Sequence, residues 1–111
     1  MRIWPRDVDG DVLRRLEEAG FDFSNPTLID FNVEFETWPP SENAVETLAR
    51  EFPNLKFYEP KDEFCGDITF QVYDRVSYEL VMRIQREVTE LMAPFGGRCE
   101  SWGVLQEPQT H

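Results

Sequence analysis

An α+β fold, with helices on one face of an antiparallel sheet, is the class that the sequence predicts. One segment alternates apolar and polar residues with a period of two, as a half-buried strand does. Three other segments carry apolar residues at helical spacing. These patterns follow one another as a helix and then β-α-β-β-α-β, an order typical of α+β domains.

The first predicted helix covers about residues 9–19. Asp9 or Asp11 is expected to cap its N-terminus, and Gly20 stands where a helix commonly ends in a left-handed residue. The apolar stripe of this helix comprises Val12, Leu13, Leu16 and Ala19.

The clearest strand pattern runs from Leu28 to Glu36, and Trp38-Pro39-Pro40 ends it. The positions expected to point inward are all apolar: Ile29, Phe31, Val33 and Phe35. The positions expected to point outward are all polar: Asp30, Asn32, Glu34 and Glu36. Such alternation predicts one buried and one solvated face.

A second helix follows this strand. Ser41 is a good N-cap, and Glu42 places a negative charge in the first turn, where the helix dipole favours one. Pro53 ends the helix. Its apolar stripe comprises Ala44, Val45, Leu48, Ala49 and Phe52.

Two further strands come next, separated by a polar, turn-rich segment over residues 59–66. The first is short and runs from Leu55 to Tyr58. The second runs from Asp67 to Tyr73, and its alternation points three apolar residues inward: Ile68, Phe70 and Val72.

A long helix and a final strand complete the pattern. Asp74 or Ser77 is expected to cap a helix over about residues 77–93, which the Gly96-Gly97 pair ends. Its apolar stripe comprises Leu80, Val81, Ile84, Val88, Leu91 and Met92. Arg98 to Leu105 is predicted as the last strand.

This order of elements predicts a ferredoxin-like sandwich with an extra N-terminal helix. Its two main helices would cover one face of a four-stranded antiparallel sheet. Residues 1–111 are expected to form one domain. The other face of the sheet is open unless the first helix or a second copy of the protein covers it, so a homodimer is one possible arrangement.

Charge is the most informative feature of the composition. Acidic residues outnumber basic ones by 22 to 11, for a formal net charge of -11. Because 41% of the residues are hydrophobic, the chain is too apolar for a disordered acidic tail. The charge must lie on a folded surface, which repels nucleic acid and attracts basic proteins.

The sequence also predicts the cellular location of the protein. No apolar run is long enough to span a bilayer or to act as a signal peptide. Cys65 and Cys99 form no CxxC pair. A cytoplasmic protein with reduced thiols and no contact with a membrane is therefore expected.

The sequence offers little that catalysis needs. The single histidine, His111, is the last residue, so neither a Ser/His/Asp triad nor a Cys-His pair is expected. The outward acids of the first strand are read more simply as a solvated face than as a catalytic pair. The acids around Gly10 lack the spacing of a calcium loop, and no phosphate-binding glycine loop is present. We therefore expect no enzyme, no cofactor and no metal.

The last predicted strand carries the most specific motif. Residues 96–104 read GGRCESWGV, so that an acid-x-Trp-Gly segment, Glu100-Ser101-Trp102-Gly103, follows a long amphipathic helix. Together with the GDITFQV strand at residues 66–72 and the β-α-β-β-α-β order, this resembles the regulator of ribonuclease E activity B (RraB) family over roughly residues 28–105.

The resemblance implies a small cytoplasmic bacterial protein with a ferredoxin-like fold. Such a protein would bind the endoribonuclease ribonuclease E, at the basic RNA-binding segments of its scaffold region, and inhibit RNA cleavage without cutting RNA itself. Better-known members carry a longer acidic extension after the Trp-Gly strand, whereas here only Glu107 is acidic beyond it. Another basic RNA-processing protein therefore remains open as the partner.

Five residues are the candidate partner contacts: Asp30, Glu34, Glu36, Glu100 and Trp102. They join the acidic face of the first strand to the last strand, and direct contact with nucleic acid is not expected. The alternative for Trp102 is that it holds the fold together with Gly103, whose missing side chain would allow a close backbone approach.

Two other functions fit the same sequence. An immunity- or antitoxin-like protein would use its acidic surface to neutralise another basic nuclease. A ligand-binding or enzymatic ferredoxin-like dimer would use the open sheet face as its pocket.

Overall fold

The computed structural model describes residues 4–104, and every element that the sequence predicts is present there. The elements are α1 (Val8–Glu18), β1 (Thr27–Phe35), α2 (Glu42–Glu51), β2 (Lys56–Tyr58), β3 (Gly66–Asp74), α3 (Tyr78–Met92), a 3-10 turn (Ala93–Phe95) and β4 (Gly97–Val104). Their ends differ from the predicted ones by a residue or so. Leu105, predicted to end the last strand, lies outside the described residues.

The four strands form one antiparallel sheet in the order β2-β3-β1-β4. The two central strands, β1 and β3, pair along their full length from Thr27↔Asp74 to Phe35↔Gly66. Each helix connection crosses over one strand, since β3 lies between β1 and β2, and β1 lies between β3 and β4. The α+β prediction is confirmed, and the strand order is consistent with a ferredoxin-like arrangement.

The hydrophobic core lies on one face of this sheet. The inward residues of β1 that the alternation predicts are all buried. Phe70 of β3 stacks with Phe31 of β1 at a centroid distance of 5.5 Å, and with Phe52 after α2 at 3.9 Å. Burying each large apolar side chain contributes about 1.5–3 kcal/mol, so this aromatic stack is a main support of the fold.

The N-terminal cap of α1 differs from the prediction. Asp7 is the N-cap, and its Oδ1 accepts a hydrogen bond from the Gly10 amide at 2.7 Å. Asp9 and Asp11 lie inside the first turn, where their negative charges interact favourably with the positive end of the helix dipole. The prediction of Asp9 or Asp11 as the cap is therefore wrong, because the N-cap lies two residues before Asp9 and four before Asp11.

The other two caps follow the sequence. Ser41 caps α2 by accepting from the Ala44 amide at 3.2 Å. Ser77 caps α3 by accepting from the Leu80 amide at 3.1 Å, so Asp74, the other candidate, is not the cap. Each such cap stabilises a protein by about 1 kcal/mol.

The first helix packs beside α3 on the helical side of the sheet. Leu13 and Leu16 of α1 are buried in the core. The Tyr78 hydroxyl at the start of α3 donates to Asp7 Oδ2 at 2.6 Å. The sequence leaves open whether α1 covers the other face of the sheet. In the structure it does not, because it lies on the helical side.

Gly66 and Gly97 permit close packing beside the sheet, whereas the sequence suggests this role for Gly103. A Cβ added to Gly66 would lie 2.3 Å from the Trp38 ring, and one added to Gly97 would lie 2.8 Å from the Phe35 ring. A Cβ added to Gly103 would meet no atom of residues 4–104 within 4 Å. The expected close backbone approach at Gly103 is therefore wrong.

A side chain of α3 fastens the outer edge of β4. The Thr89 hydroxyl donates to the Cys99 carbonyl at 3.1 Å and accepts from the Cys99 amide at 2.9 Å. Both main-chain polar groups of Cys99 are thus satisfied by one side chain rather than by a neighbouring strand.

Candidate protein-partner interface

The sheet face opposite the helices is uncovered within residues 4–104 and is polar except at one end, where Leu28 and Tyr73 are exposed. Because side chains alternate along a strand, the residues between the buried positions of β1 and β3 point to this side. We call this surface the open face and define it by Lys56, Tyr58, Asp67, Thr69, Gln71, Asp30, Asn32, Glu34, Glu36, Arg98, Glu100 and Ser101. Of these residues only Thr69 is buried.

A row of hydrogen bonds crosses the open face from β4 to β3. Asn32 Nδ2 donates to Ser101 Oγ at 2.9 Å, and the Thr69 hydroxyl donates to Asn32 Oδ1 at 2.7 Å. One step along the sheet, Gln71 Nε2 donates to Asp30 Oδ1 at 2.8 Å. These cross-strand bonds hold the side chains in place before any partner binds.

Two carboxylates face each other across the central strands. Glu34 of β1 and Asp67 of β3 are direct partners in the register. Burial raises the pKa of Asp67, the hydrogen bond from Thr69 opposes this shift, and the charge of Glu34 raises the pKa further. Like charges at opposite positions of a strand pair are destabilising, so this pair is retained at a cost to the fold.

One arginine on the open face is surrounded by acids. Arg98 lies with Nε 2.9 Å from Glu100 Oε1, and its two terminal nitrogens lie 3.5 Å from Glu34 Oε2 and 3.7 Å from Glu36 Oε1. Five carboxylates on the face outnumber Arg98 and Lys56, so the surface remains negative although it already holds a guanidinium group.

The structure brings four of the five predicted contact residues together. Asp30, Glu34, Glu36 and Glu100 all lie on the open face. Glu100 reaches it because the register of β1 and β4 shifts at Asn32/Val33, which leaves Glu100 as an extra residue in a β-bulge.

Trp102 lies apart from these acids. It pairs with Phe31 and points to the helical side, where only 8% of it is exposed. Its indole Nε1 donates to Asp9 Oδ1 at 2.7 Å, and Gln85 Nε2 of α3 donates to the same oxygen at 3.0 Å. Trp102 therefore joins β4, α1 and α3, in line with the alternative that it holds the fold.

Sequence reasoning left three contributors out of the candidate contacts. Asp67 was available from the alternation of β3, since it precedes the inward Ile68. Arg98 is basic, whereas the contact residues predicted on this protein are mostly acidic. No local sequence pattern distinguishes it from an ordinary strand residue. Tyr58 joins the face only through the pairing Tyr58↔Asp67, which is a tertiary contact.

Neither a metal site nor a membrane-spanning helix is found within residues 4–104. No group of three or more His, Cys, Asp or Glu side chains in that region is arranged to hold a metal ion. No helix there is long and apolar enough to cross a membrane. Burial and, secondarily, the charge of Glu100 raise the pKa of the Cys99 thiol to about 12, so this thiol is a poor nucleophile.

A family model described as "Regulator of ribonuclease activity B" (RraB) matches residues 6–104. The chain belongs to this family. The match includes α1, which precedes the region of about residues 28–105 over which the sequence motifs show the resemblance. No curated protein matches the chain.

Membership of the RraB family gives the open face a context. The family description makes the chain a regulator of ribonuclease activity, and regulation of an enzyme implies a protein partner. On this RraB-family protein, the open face combines strong charge with side chains held by hydrogen bonds, and it is uncovered within residues 4–104. It is therefore the candidate surface for that partner.

Proposed function

We propose that the protein is a non-catalytic inhibitor, acting in the bacterial cytoplasm, that binds a ribonuclease of the E type and lowers its cleavage of RNA. The observation that carries this proposal is the uncovered sheet face with five carboxylates, in a member of a family of ribonuclease regulators.

The charge of the open face suits a partner whose natural ligand is RNA. Surfaces that bind RNA are rich in Lys and Arg, because these residues neutralise phosphates. An acidic protein that covers such a surface excludes RNA from it without any chemical step. Electrostatic attraction speeds the encounter of the two proteins, and salt weakens it.

Four acids are the proposed contacts: Asp30, Glu34, Glu36 and Glu100. All four are exposed or half-exposed and lie on one side of the sheet. Trp102 has a different part in this proposal, since its side chain is buried on the other side. It fixes the position of β4, and so of Glu100, rather than touching the partner.

The test is binding to purified ribonuclease E and its scaffold segments at low and moderate salt, with RNA cleavage measured in parallel. A variant combining Asp30→Asn, Glu34→Gln and Glu36→Gln should weaken binding at least tenfold and relieve the inhibition of cleavage. The matched control combines Glu18→Gln, Glu46→Gln and Glu51→Gln, which removes the same charge from exposed helix positions. It should bind nearly as well as the natural protein.

Two results would contradict the proposal in different ways. Equal loss in both triple variants would show that net charge alone, and not the open face, directs binding. Absence of binding to ribonuclease E at low salt would exclude this target and direct the search to other basic nucleases, the immunity-like alternative included.

A further inference from the structure

We propose that the open face contains a binding site for one arginine side chain of a basic protein partner, between Glu34 and Asp67 and against the ring of Tyr58. The proposal rests on the proposed function for the source of the arginine, namely the ribonuclease that the protein regulates. The site itself is argued from the geometry of three neighbouring strands.

The site is a shallow depression in the open face. It is lined by carboxylates of both central strands, β1 and β3, and by Tyr58 of β2. Its lining comprises Asp30, Asn32, Glu34, Tyr58, Asp67, Thr69 and Ser101. The floor is the row of hydrogen bonds described above, which fixes Asn32, Thr69 and Ser101. Asp67 Oδ1 accepts a further hydrogen bond from the Thr69 hydroxyl at 3.2 Å.

The charge at this depression is incompletely balanced. Among residues 4–104, Asp67 takes part in no ion pair, and Glu34 has only the 3.5 Å contact with Arg98. The two carboxylates are opposite each other in the register, and the pKa of Asp67 is raised in consequence of burial and of Glu34. A cation between them would convert a repulsive pair into two attractive contacts.

The geometry favours a guanidinium group over other cations. A guanidinium is planar, presents five N–H donors, and stacks on aromatic rings, so it can use the carboxylates and the Tyr58 ring together. The same face already holds one guanidinium, since Arg98 contacts three carboxylates. A divalent metal ion prefers several charged oxygen ligands, and the described residues contain no group of three or more His, Cys, Asp or Glu side chains arranged to hold one.

The experiment is a titration of the full-length, isotopically labelled protein, followed by NMR. The probes are N-acetyl-arginine amide, N-acetyl-lysine amide and magnesium chloride, each at constant ionic strength. We expect the arginine probe to give saturable shifts of the Glu34 and Asp67 carboxyl carbons and of the Tyr58 ring, with an affinity at least threefold above that of the lysine probe.

Variants show which residues bind the arginine probe. Glu34→Gln and Asp67→Asn should each lower the affinity for the arginine probe at least threefold, and Tyr58→Leu should reduce the preference for arginine over lysine. The matched control is Glu51→Gln on α2, which removes one charge from an exposed helix position and should change nothing. Amide spectra of each variant report whether its fold is intact.

Three results would overturn the inference. The first is that both amino-acid probes cause equal chemical-shift changes that do not saturate. The second is that the chemical-shift changes spread over the whole acidic surface. The third is saturation of the same residues by magnesium, which would make the depression a cation site instead. Because the probes are small molecules, these results do not depend on the ribonuclease.

The inference and the proposed function can therefore fail separately. Ribonuclease E binding that is unaffected by Asp67→Asn and Tyr58→Leu would overturn the arginine site in the complex while leaving the inhibitor function in place. Arginine selectivity without any ribonuclease E binding would support the site and contradict the proposed partner.

Discussion

The indole nitrogen of Trp102 donates a hydrogen bond to the carboxylate of Asp9 over 2.7 Å, and so ties the last strand to the first helix. The two residues are 93 positions apart in the chain. The Trp-Gly motif that most resembles the RraB family is thus one end of a partly buried polar contact within the protein. The family match includes both ends, since it extends over residues 6–104.

Removing the indole N–H should destabilise the protein. Trp102→Phe keeps most of the buried apolar area but leaves Asp9 with one donor fewer, and a hydrogen bond to a charged group contributes about 1.5–3 kcal/mol. Urea denaturation of Trp102→Phe, Asp9→Ala and the double variant should give a coupling energy above about 0.5 kcal/mol. Additive effects would show that the two side chains act independently.

The tight contact between Gly66 and Trp38 predicts a large difference between two alanine variants. Gly66→Ala places a methyl group against the indole ring and should lower the free energy of unfolding by about 1–3 kcal/mol. Gly103→Ala, in the same sheet, meets no atom of residues 4–104 within 4 Å and should change it by less than about 0.5 kcal/mol. Thermal melts of both variants check this, and similar losses would contradict it.

The repulsion at Asp67 should appear as a pH-dependent gain in stability for Asp67→Asn. The raised pKa means that the folded state holds this proton more tightly than the unfolded state. Stability from this group is therefore lost as the pH rises from the ordinary value of 3.8 through the raised pKa. At pH 7 Asp67→Asn should be more stable by about 0.2–1 kcal/mol.

That gain should fade below the ordinary aspartate pKa, where both proteins are neutral at this position. Urea denaturation at several pH values measures the difference between variant and natural protein. Hydrogen bonds lower the pKa values of Asp7 and Asp22, but both groups are present in each protein and cancel in the difference. A gain that does not change with pH would show that charge is not its cause.

The two thiols should differ sharply in reactivity. Cys65 is exposed, whereas Cys99 is buried with a pKa of about 12 and carries almost no thiolate at pH 8. Ellman's reagent should modify one thiol per chain in the folded protein and both in denaturant. A Cys65→Ser variant, in which the folded protein should not react, provides the control. Rapid reaction of that variant would contradict the burial of Cys99.

Arg98 should restrain binding of a basic partner. Arg98→Gln frees three carboxylates on the open face, so affinity for the proposed ribonuclease partner should rise several-fold. The loss of stability should be below about 1 kcal/mol, because these ion pairs are exposed. Arg83→Gln on α3 makes the same change of charge away from the face. Equal gains in both variants would point to net charge alone.

Local patterns in the sequence were sufficient for most of the fold. Alternation along β1 identified its buried face, and the serines before α2 and α3 identified two helix caps. These features depend on neighbours within a few positions, which a single sequence displays directly. The acids of the open face on β1 followed from the same alternation.

Features that depend on tertiary pairing were harder to predict. Strict alternation places Cys99 and Trp102 on opposite faces, because they are three positions apart. Both are buried on the same face, since the bulge at Glu100 changes the phase of β4 between them. The position of α1 and its cap at Asp7 likewise depend on contacts with α3, such as the one from Tyr78.

The grip of Thr89 on Cys99 has a consequence for self-association. Sheets polymerise when a free strand margin offers its amides and carbonyls to another chain, and natural proteins obstruct such margins. Here one hydroxyl occupies both groups of Cys99. A second molecule extending the sheet at that point would first have to displace Thr89. The Thr89 side chain therefore protects this part of the β4 edge against the addition of another strand.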